Sequence, residues 1–371
     1  MVTMKDVARA AGVSQPAVSY AYNRPDQISE ELRERILQVA ADLGYPGPNP
    51  IGRGLRRGTL GAIGLVITDS LPYAFRDPAT LELVSGIAGV GELSDVMLTL
   101  LPLRPAEAGE DPSEVEARQA EMPLKGLVDG FLLYSLPEGH KAVETALNRR
   151  LPTVIIDAPK VSGVSYLGID DRKAARTAAA HLLQLGHRRI GLMVDRLIPD
   201  GHFGLADATR VRQMRIGVVR ERLAGYHQAL SSAGLTWEDV PVVETGGFDL
   251  PSVDRALEVL LEREPKLTAV IASTDVLALH LLTALGKRGL DVPDGMSVVG
   301  FDDIPDAATA GLTTIAQPLL EKGARSAELL LSTMRTGQQR RLILPTSLQE
   351  RRSTGPPRHL RATKVPRQRS D

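Results

Sequence analysis

Hydrophobic positions near the start of the chain recur with the spacing of short amphipathic helices. The apolar face of the first stretch consists of Met4, Val7, Ala8 and Ala11. Thr3 and Asp6 have the spacing of a capping box, which predicts that a helix begins there. Gly12 permits the positive φ that ends a helix, and Ser14 is suited to cap the next one. The pattern therefore predicts two short helices joined by a tight turn.

The second helix has one apolar face and one polar face. It is predicted to begin at about Gln15, and Val18, Ala21 and Tyr22 should be buried. The opposite side carries Gln15 at the tip and then Pro16, Ser19, Tyr20 and Asn23. A third helix, capped by Ser29 and ended by Gly44, completes a small bundle. This arrangement is typical of a helix-turn-helix whose second helix enters the major groove of DNA. A plain three-helix bundle with no ligand is the alternative.

From Leu60 onward, apolar stretches of strand length alternate with helical stretches. The predicted strands lie within residues 60–68, 95–103, 127–135, 151–157, 187–195, 267–274, 296–303 and 312–317. Helical patterns such as 172–185 and 276–287 separate most of them. Such alternation predicts parallel sheets covered by helices, and about 290 residues are too many for one sheet of this kind. We therefore expect an α-helical head followed by an α/β core of two similar lobes.

Composition and motifs exclude several classes of protein. The 371 residues contain no cysteine, so disulfides, thiolate zinc sites and cysteine nucleophiles are excluded. No GxSxG, P-loop or HExxH arrangement occurs, and the seven histidines lack metal-ligand spacing. We therefore expect no enzyme, no metal and no cofactor. No run is apolar enough for a membrane span or a signal peptide, so we expect a cytoplasmic, nucleoid-associated protein.

Charge is unevenly distributed although the net value is only −1. Residues 1–57 carry +2, residues 351–371 carry +6, and the rest of the chain carries −9. Three arginines, Arg53, Arg56 and Arg57, cluster around Leu55, and such basic side chains suit DNA phosphates. The stretch 353–371 is broken by prolines and aperiodic, and it is predicted to be disordered. We favour a solubilising role for this tail over non-specific attraction to DNA.

Several motifs resemble the LacI/GalR family of bacterial transcription regulators. They are TMKDVARAAGVSQPAVSYAYN from Thr3, PNPIGRGLRRG from Pro48, IGLVI from Ile63, GIDD from Gly168, HLLQLGHRRIGLM from His181, RLAGY from Arg222 and VPDGMSVVGFDD from Val292. The resemblance implies a DNA-binding head over 1–46, a hinge over 47–58 and an effector-binding and dimerisation core over 59–352. The resemblance also implies that the core is similar in fold to periplasmic sugar-binding proteins. We expect one lobe over about 59–163 and 317–338, and the other over about 164–316 and 339–352.

The resemblance also implies which residues contact DNA. Gln15, Pro16 and Tyr20 match base-reading positions, and Ser14, Ser19 and Asn23 are expected to contact phosphates. In the hinge, the implied DNA contacts are Asn49, Arg53, Leu55 and Arg56. Leu55 occupies the position of a leucine that enters the minor groove and kinks the duplex. Pro50, Gly52 and Gly54 stand where the family often has alanine. Glycine disfavours a helix interior, so we expect this hinge to depend more on DNA for its order than the usual hinge of the family does.

Ligands of parallel-sheet proteins bind beyond the carboxyl ends of the strands. Carried over from the family, the expected effector-binding residues are Tyr73, Phe75, Asp157, Arg222, Thr274 and Asp302. Carboxylates and a guanidinium suit a small polar effector that is sugar-like or nucleobase-like. For Asp275 we prefer a helix cap and for Asp303 a turn. The long connection 195–221 is a lid or site wall, or else a disordered insert.

The sequence thus predicts a sequence-specific transcriptional regulator, most simply a repressor. It would act as a homodimer on near-palindromic double-stranded operator DNA, with an affinity set by the small-molecule effector. Two alternatives remain open at this point. One is a periplasmic-type binding protein without a DNA role, and the other is a DNA-binding regulator that needs no effector.

Overall fold

A computed structural model describes residues 2–47, 60–93, 96–104, 106–107 and 109–358. The chain divides into two compact units, Met1–Gly61 and Ala62–Asp371. The first is helical and the second is α/β, which confirms the predicted fold class. The predicted hinge contacts Asn49, Arg53, Leu55 and Arg56 lie outside the described residues.

The head contains three helices, α1 (Met4–Ala11), α2 (Gln15–Asn23) and α3 (Glu30–Asp42), with a 3₁₀ turn at Pro25–Gln27. The amide and hydroxyl of Thr3 both donate to the Asp6 carboxylate, at 3.0 and 2.6 Å. Gly12 has a φ of 65°, as the turn required, and the Ser14 hydroxyl accepts from the Ala17 amide. Local sequence therefore defines the boundaries of the first two helices.

The core of the head is small and apolar. It is built around Val7, Val18 and Ile36, each fully buried. Leu43 belongs to the apolar pattern of the third helix, but it is 38% exposed because α3 ends at Asp42.

The first lobe of the core contains a six-stranded parallel sheet. Its strands are β1 (Ala62–Ile67), β2 (Met97–Pro102), β3 (Gly130–Tyr134), β4 (Thr153–Ile156), β5 (Ser165–Ile169) and β12 (Arg341–Leu344), in the order β12-β5-β4-β3-β1-β2. Its helices are α4 (Leu71–Ala74), α5 (Pro78–Ala88), α6 (Pro112–Gln119), α7 (Met122–Lys125), α8 (Lys141–Asn148) and α15 (Leu319–Thr336), with a 3₁₀ turn at Gly91–Leu93.

The second lobe contains a seven-stranded sheet with antiparallel edges. Its strands are β6 (Ile190–Val194), β7 (Gly204–Leu205), β8 (Val242–Glu244), β9 (Ala269–Ala272), β10 (Ser297–Asp302), β11 (Thr313–Ala316) and β13 (Ser347–Gln349), in the order β13-β11-β10-β9-β6-β8-β7. Only β7 and β13 pair antiparallel within this described sheet. Its helices are α9 (Asp171–Gln184), α10 (Ala208–Arg212), α11 (Gly217–Ser232), α12 (Leu250–Arg263), α13 (Asp275–Lys287) and α14 (Pro305–Ala310).

The chain passes between the lobes at positions that differ from the predicted ones. Strand β5 pairs with β4, and β12 pairs with β5, so both belong to the first lobe. Residues 164–169 and 339–344, which we had assigned to the second lobe, therefore require correction. The first passage falls after Ile169 because the hydrogen bonds of β5 are made within the first sheet.

Helices α5 and α15 of the first lobe touch backbone to backbone. A Cβ atom on Gly86 would lie 2.0 Å from the Leu320 carbonyl oxygen, and one on Gly323 would lie 2.0 Å from that of Leu83. Only glycine permits this approach. The contact holds the start of α15, and therefore Lys322, against the core of the first lobe.

The stretch that follows β13 is ordered where we had predicted disorder from residue 353. Ser353 is 3% exposed, and its hydroxyl donates to the Val298 carbonyl oxygen at 2.6 Å. The carbonyl oxygen of Gly355 accepts from Ser297, and it lies 2.9 Å from Nε2 of His187. Residues 353–358 thus complete the second lobe, and the rest of the predicted tail lies outside the described residues. Across the described chain, no helix combines the length and apolarity needed to span a membrane.

Candidate functional site

The second helix of the head presents the residues expected to contact DNA. Gln15 and Pro16 are exposed at its N-terminus, and Tyr20 is 40% exposed one turn later. Ser19 and Asn23 are half-buried, and the Asn23 side-chain amide donates to the Ser19 carbonyl oxygen at 3.0 Å. Gln15 and Tyr20 are therefore free to extend toward a base edge, whereas Asn23 is folded back on its own helix.

A cavity of about 130 Å³ lies between the two lobes. It is lined by residues at the carboxyl ends of strands from both sheets, including Ile67, Tyr134, Asp157, Asp195, Ser273 and Asp302. This is the position at which parallel sheets bind ligands. The volume is below the 300–1,000 Å³ of drug-sized sites, so a small ligand fits it best.

Arg222 is central to the second-lobe wall of the cavity. Its guanidinium donates to the Asp171 carboxylate at 3.0 Å and to the Ser273 carbonyl oxygen at 2.6 Å. The same group lies 3.5 Å above the ring of Phe301 and 3.8 Å from Asp302. Arg222 is therefore held in place by the second lobe through two of its five N–H donors.

A buried polar chain runs along the back of the cavity. The Lys322 ammonium donates to both Asp157 oxygens, at 2.8 and 2.9 Å, and to the side-chain oxygen of Gln317 at 2.5 Å. The amide of Gln317 in turn donates to Asp302 at 2.6 Å. Asp157 lines the cavity as expected, but the charge of its carboxylate is neutralised by Lys322.

Two of the cavity carboxylates have strained backbones. Asp157 has a φ of 65° and Asp302 a φ of 128°. Non-glycine residues in these regions concentrate at functional sites, where the surrounding structure holds them. Burial raises the pKa of Asp302 to about 8, an effect that Arg222 partly opposes.

Aromatic rings from both lobes close one side of the cavity. Tyr73 stacks on Phe248 with ring centroids 4.5 Å apart, and both residues line the cavity. Burial raises the pKa of the Tyr73 hydroxyl. Phe75, expected to share this role, is 60% exposed and does not line the cavity, because α4 ends just before it. The structure therefore brings Tyr73 to the cavity and leaves Phe75 at the surface.

The side chain that caps the start of α13 is not the one that we expected. Thr274 lines the cavity and caps the helix by accepting from the Leu277 amide at 3.3 Å. Asp275, expected to be the cap, is instead buried and accepts from Thr314 at 2.6 Å and from the Ile304 amide at 3.0 Å. Asp303 lies in the turn, as preferred, and pairs with Arg351 at 2.7 Å.

The connection 195–221 is an ordered wall of the site. Arg210 anchors it to the second lobe through the buried Glu244 carboxylate, at 2.6 Å. Asp195, Arg196 and Ile216 line the cavity. The structure therefore favours the site-wall interpretation over a disordered insert.

The same connection and the start of α11 bridge the lobes. Three ion pairs among the described residues join a first-lobe carboxylate to a second-lobe arginine: Asp69 with Arg196 at 2.9 Å, Glu116 with Arg215 at 3.0 Å, and Glu138 with Arg220. The Glu138 amide also donates to the Arg215 carbonyl oxygen at 2.8 Å. These contacts join the two lobes beside the cavity.

Sequence reasoning missed several cavity residues. They include Asp77, Tyr134, Asp195, Arg196, Phe248 and Ser273. Asp195 and Ser273 stand at the ends of predicted strands, so the strand-end rule that selected Asp157 also applied to them. Asp77, Arg196 and Phe248 lie in loops or at a helix start, where the pattern carried no such signal.

Comparison with known proteins agrees with both parts of the structure. Residues 3–49 match the family described as bacterial regulatory proteins of the lacI family, and residues 179–354 match a periplasmic binding protein-like domain. The HTH-type transcriptional regulator Rv3575c of Mycobacterium tuberculosis is 42% identical over 356 residues, covering 96% of this chain and 97% of that protein.

Solved structures give the same result. A LacI family regulator from Corynebacterium glutamicum is 31% identical with a TM-score of 0.72, covering 95% of this chain and 98% of the other. The transcriptional regulator CelR in complex with cellobiose is 27% identical with a TM-score of 0.64, covering 95% and 100%.

The head, the core and these similarities define a DNA-binding transcriptional regulator rather than an enzyme. The chain belongs to the LacI family. A periplasmic-type binding protein without a DNA role is thereby ruled out.

Proposed function

We propose that the protein is a sequence-specific repressor whose affinity for operator DNA is controlled by a small polar effector bound between the lobes. The observation that supports this most directly is the cavity at the strand ends, enclosed by both lobes and lined by buried polar groups. A ligand there contacts both lobes at once, so it can favour one relative arrangement of them.

The DNA side of the proposal rests on the exposed residues of α2. Gln15 has the side-chain amide that pairs with adenine, and Pro16 offers apolar contact to a thymine methyl group. Ser14, Ser19 and Tyr20 extend the same surface, and Asn23 completes the expected phosphate contacts. A single head reads one half-site, so a homodimer on a near-palindromic operator is the arrangement that we propose.

The hinge part of the proposal rests on sequence alone. Asn49, Arg53 and Arg56 are proposed to contact DNA, and Leu55 is proposed to enter the minor groove. Leu55→Ala should then weaken operator binding and reduce DNA bending, as measured by the mobility of permuted fragments. Unchanged bending would show that Leu55 does not kink the DNA.

The effector side rests on the cavity wall. Tyr73, Asp157, Arg222, Thr274 and Asp302 all line the cavity, and we propose them as the effector-binding set. The complex of CelR with cellobiose supports an effector of sugar-like chemistry. Phe75 is withdrawn from this set because it lies at the surface.

Selection from a random pool of double-stranded DNA tests the proposal. The full-length protein should enrich an inverted repeat, and sedimentation should show a dimer bound to one such site. Operator affinity should then change on addition of a small polar compound. Recovery of only non-specific DNA would end the repressor interpretation, whereas specific binding that no ligand and no cavity substitution affects would favour a regulator without an effector.

A further inference from the structure

The acidic and basic side chains around the inter-lobe cavity are unequal in number. Its walls contain five aspartates (Asp69, Asp77, Asp157, Asp195 and Asp302) but only two arginines (Arg196 and Arg222). Both arginines lie beside protein carboxylates, which offset their positive charge toward a bound anion.

Carboxylates and other acceptors of the protein surround these cations. Arg196 lies 2.9 Å from Asp69 and 3.3 Å from Asp195, and Arg222 is held by Asp171 and the Ser273 carbonyl oxygen. Lys322, directly behind the wall, uses all three of its N–H donors on Asp157 and Gln317. A phosphate or carboxylate on the ligand would therefore meet cations whose positive charge is already offset by protein carboxylates.

Asp77 is the cavity carboxylate that lacks an ion pair among the described residues. One of its oxygens caps α5 by accepting from the amide and hydroxyl of Thr80, at 3.0 and 2.6 Å. Burial raises the pKa of Asp77. A second negative charge placed nearby would be repelled in a region of low dielectric constant, whereas a hydroxyl group could donate to the remaining oxygen.

An independent observation points to a hydroxyl-bearing ligand. Ser273 is only 2% exposed and lines the cavity, yet its hydroxyl oxygen has no hydrogen-bond partner among the described residues. A buried hydroxyl left unpaired is unfavourable, so this group is suited to donate to or accept from a ligand.

We propose that this cavity selects a small, uncharged, polyhydroxylated ligand and rejects its phosphorylated or carboxylated counterparts. Asp77 enforces the rejection, and Ser273 recognises a ligand hydroxyl. This inference rests on the proposed effector function and specifies the chemical class of the effector.

Calorimetric titration of the full-length protein tests the inference with matched probes. The neutral probes are glucose, ribose and sorbitol; their anionic counterparts are glucose 6-phosphate, ribose 5-phosphate and gluconate; glucosamine is the cationic probe. At least one neutral probe should bind, and its anionic counterpart should bind at least tenfold more weakly. Equal or tighter binding of the anionic member, tenfold tighter binding of glucosamine than of glucose, or no binding by any neutral probe would overturn the inference.

Two substitutions assign the selectivity to named residues. Asp77→Asn retains the helix cap and should reduce the neutral-to-anionic difference severalfold, and Ser273→Ala should weaken binding of the neutral probe about tenfold. Asp111→Asn is the matched control, because Asp111 caps α6 without lining the cavity. The thermal midpoint of each variant verifies folding. An unchanged preference in a folded Asp77→Asn protein would contradict the role of Asp77.

Operator binding distinguishes this inference from the proposed function. If the protein binds an inverted-repeat operator but prefers ribose 5-phosphate to ribose, the proposed function stands and the inference about the ligand is wrong. If the protein prefers the neutral sugar but enriches no DNA sequence, the inference about the ligand stands and the proposed function is wrong.

Discussion

The Lys322 ammonium, fully buried in α15, lies 2.8 Å from Oδ1 and 2.9 Å from Oδ2 of Asp157 at the end of β4. Two buried charges that satisfy each other contribute little net stability, but either one left alone is strongly unfavourable. The pair is joined through Gln317 to Asp302, and so to the second-lobe side of the cavity.

Lys322→Met should therefore destabilise the core by about 3–5 kcal/mol, because the Asp157 carboxylate would remain buried without a partner. The thermal midpoint should fall by at least about 6 °C, as measured by calorimetry. The double variant Lys322→Met with Asp157→Asn removes both charges and should recover most of this loss. A double variant as unstable as the single one would show that packing, rather than charge, explains the effect.

The raised pKa of Asp302 predicts a specific dependence of stability on pH. Burial places this pKa at about 8, above the value of about 3.9 in an unfolded chain. Between these values the folded protein binds more protons than the unfolded one, so the contribution of Asp302 to stability falls as pH rises. That contribution is fully present below about pH 4 and lost as pH passes through 8.

Asp302→Asn should remove this dependence. The thermal midpoint of the variant minus that of the original protein should increase steadily from pH 5 to pH 8 and level off above about pH 9. Asparagine keeps an acceptor for the Gln317 amide and tolerates the positive φ of this position. A difference that does not vary with pH would place the Asp302 pKa outside this range.

Lobe closure should depend on the ion pairs that join the two lobes. Arg215→Ala with Arg220→Ala removes the partners of Glu116 and Glu138. The two pairs are partly exposed, so their combined contribution to closure should be at most about 2 kcal/mol and should decline with salt.

Energy transfer between dyes on the two lobes measures this closure. The chain has no cysteine, so Glu144→Cys and Ser231→Cys provide two unique labelling positions on exposed residues. The double arginine variant should show lower transfer, and 1 M NaCl should lower the transfer of the labelled parent protein as well. Arg118→Ala, which removes a pair within the first lobe, is the control and should change nothing. Equal energy transfer in the parent protein, the double arginine variant and the Arg118→Ala variant would show that these ion pairs do not hold the lobes together.

The features that sequence predicted are those with a local signature. Gly12 and Ser14 mark their turn through their own conformational preferences, and the eight predicted strands are all present because each is a short apolar run. Strand β5 was missed because SYLGI is short and half polar, and the lobe boundaries were displaced as a result. Lys322 was missed because its partner lies 165 residues away, and a helical lysine carries no local sign of burial.

The candidate site was predictable to a similar extent. Asp157 and Asp302 were found because strand ends converge at one edge of a parallel sheet. Lys322 and Gln317, which hydrogen-bond to them, were not found, because contacts between distant segments of the chain depend on tertiary packing. Phe75 was assigned to the cavity from its position near Tyr73, but it lies two residues further along the chain, beyond the end of α4, and its side chain is at the surface.

Gln15 should determine which base pairs the operator contains. Its amide lies exposed at the N-terminus of α2, where a bidentate contact to adenine discriminates against the wrong base by about 1–3 kcal/mol. Gln15→Ala should therefore relax the selected sequence at one symmetric pair of positions while leaving the spacing of the inverted repeat unchanged. Ser14→Ala is the matched comparison, because it removes a helix cap worth about 1 kcal/mol and a proposed phosphate contact, neither of which reads a base. It should weaken binding to all selected sequences alike. Identical selected sequences from Gln15→Ala and the parent protein would mean that other residues of the head read those bases.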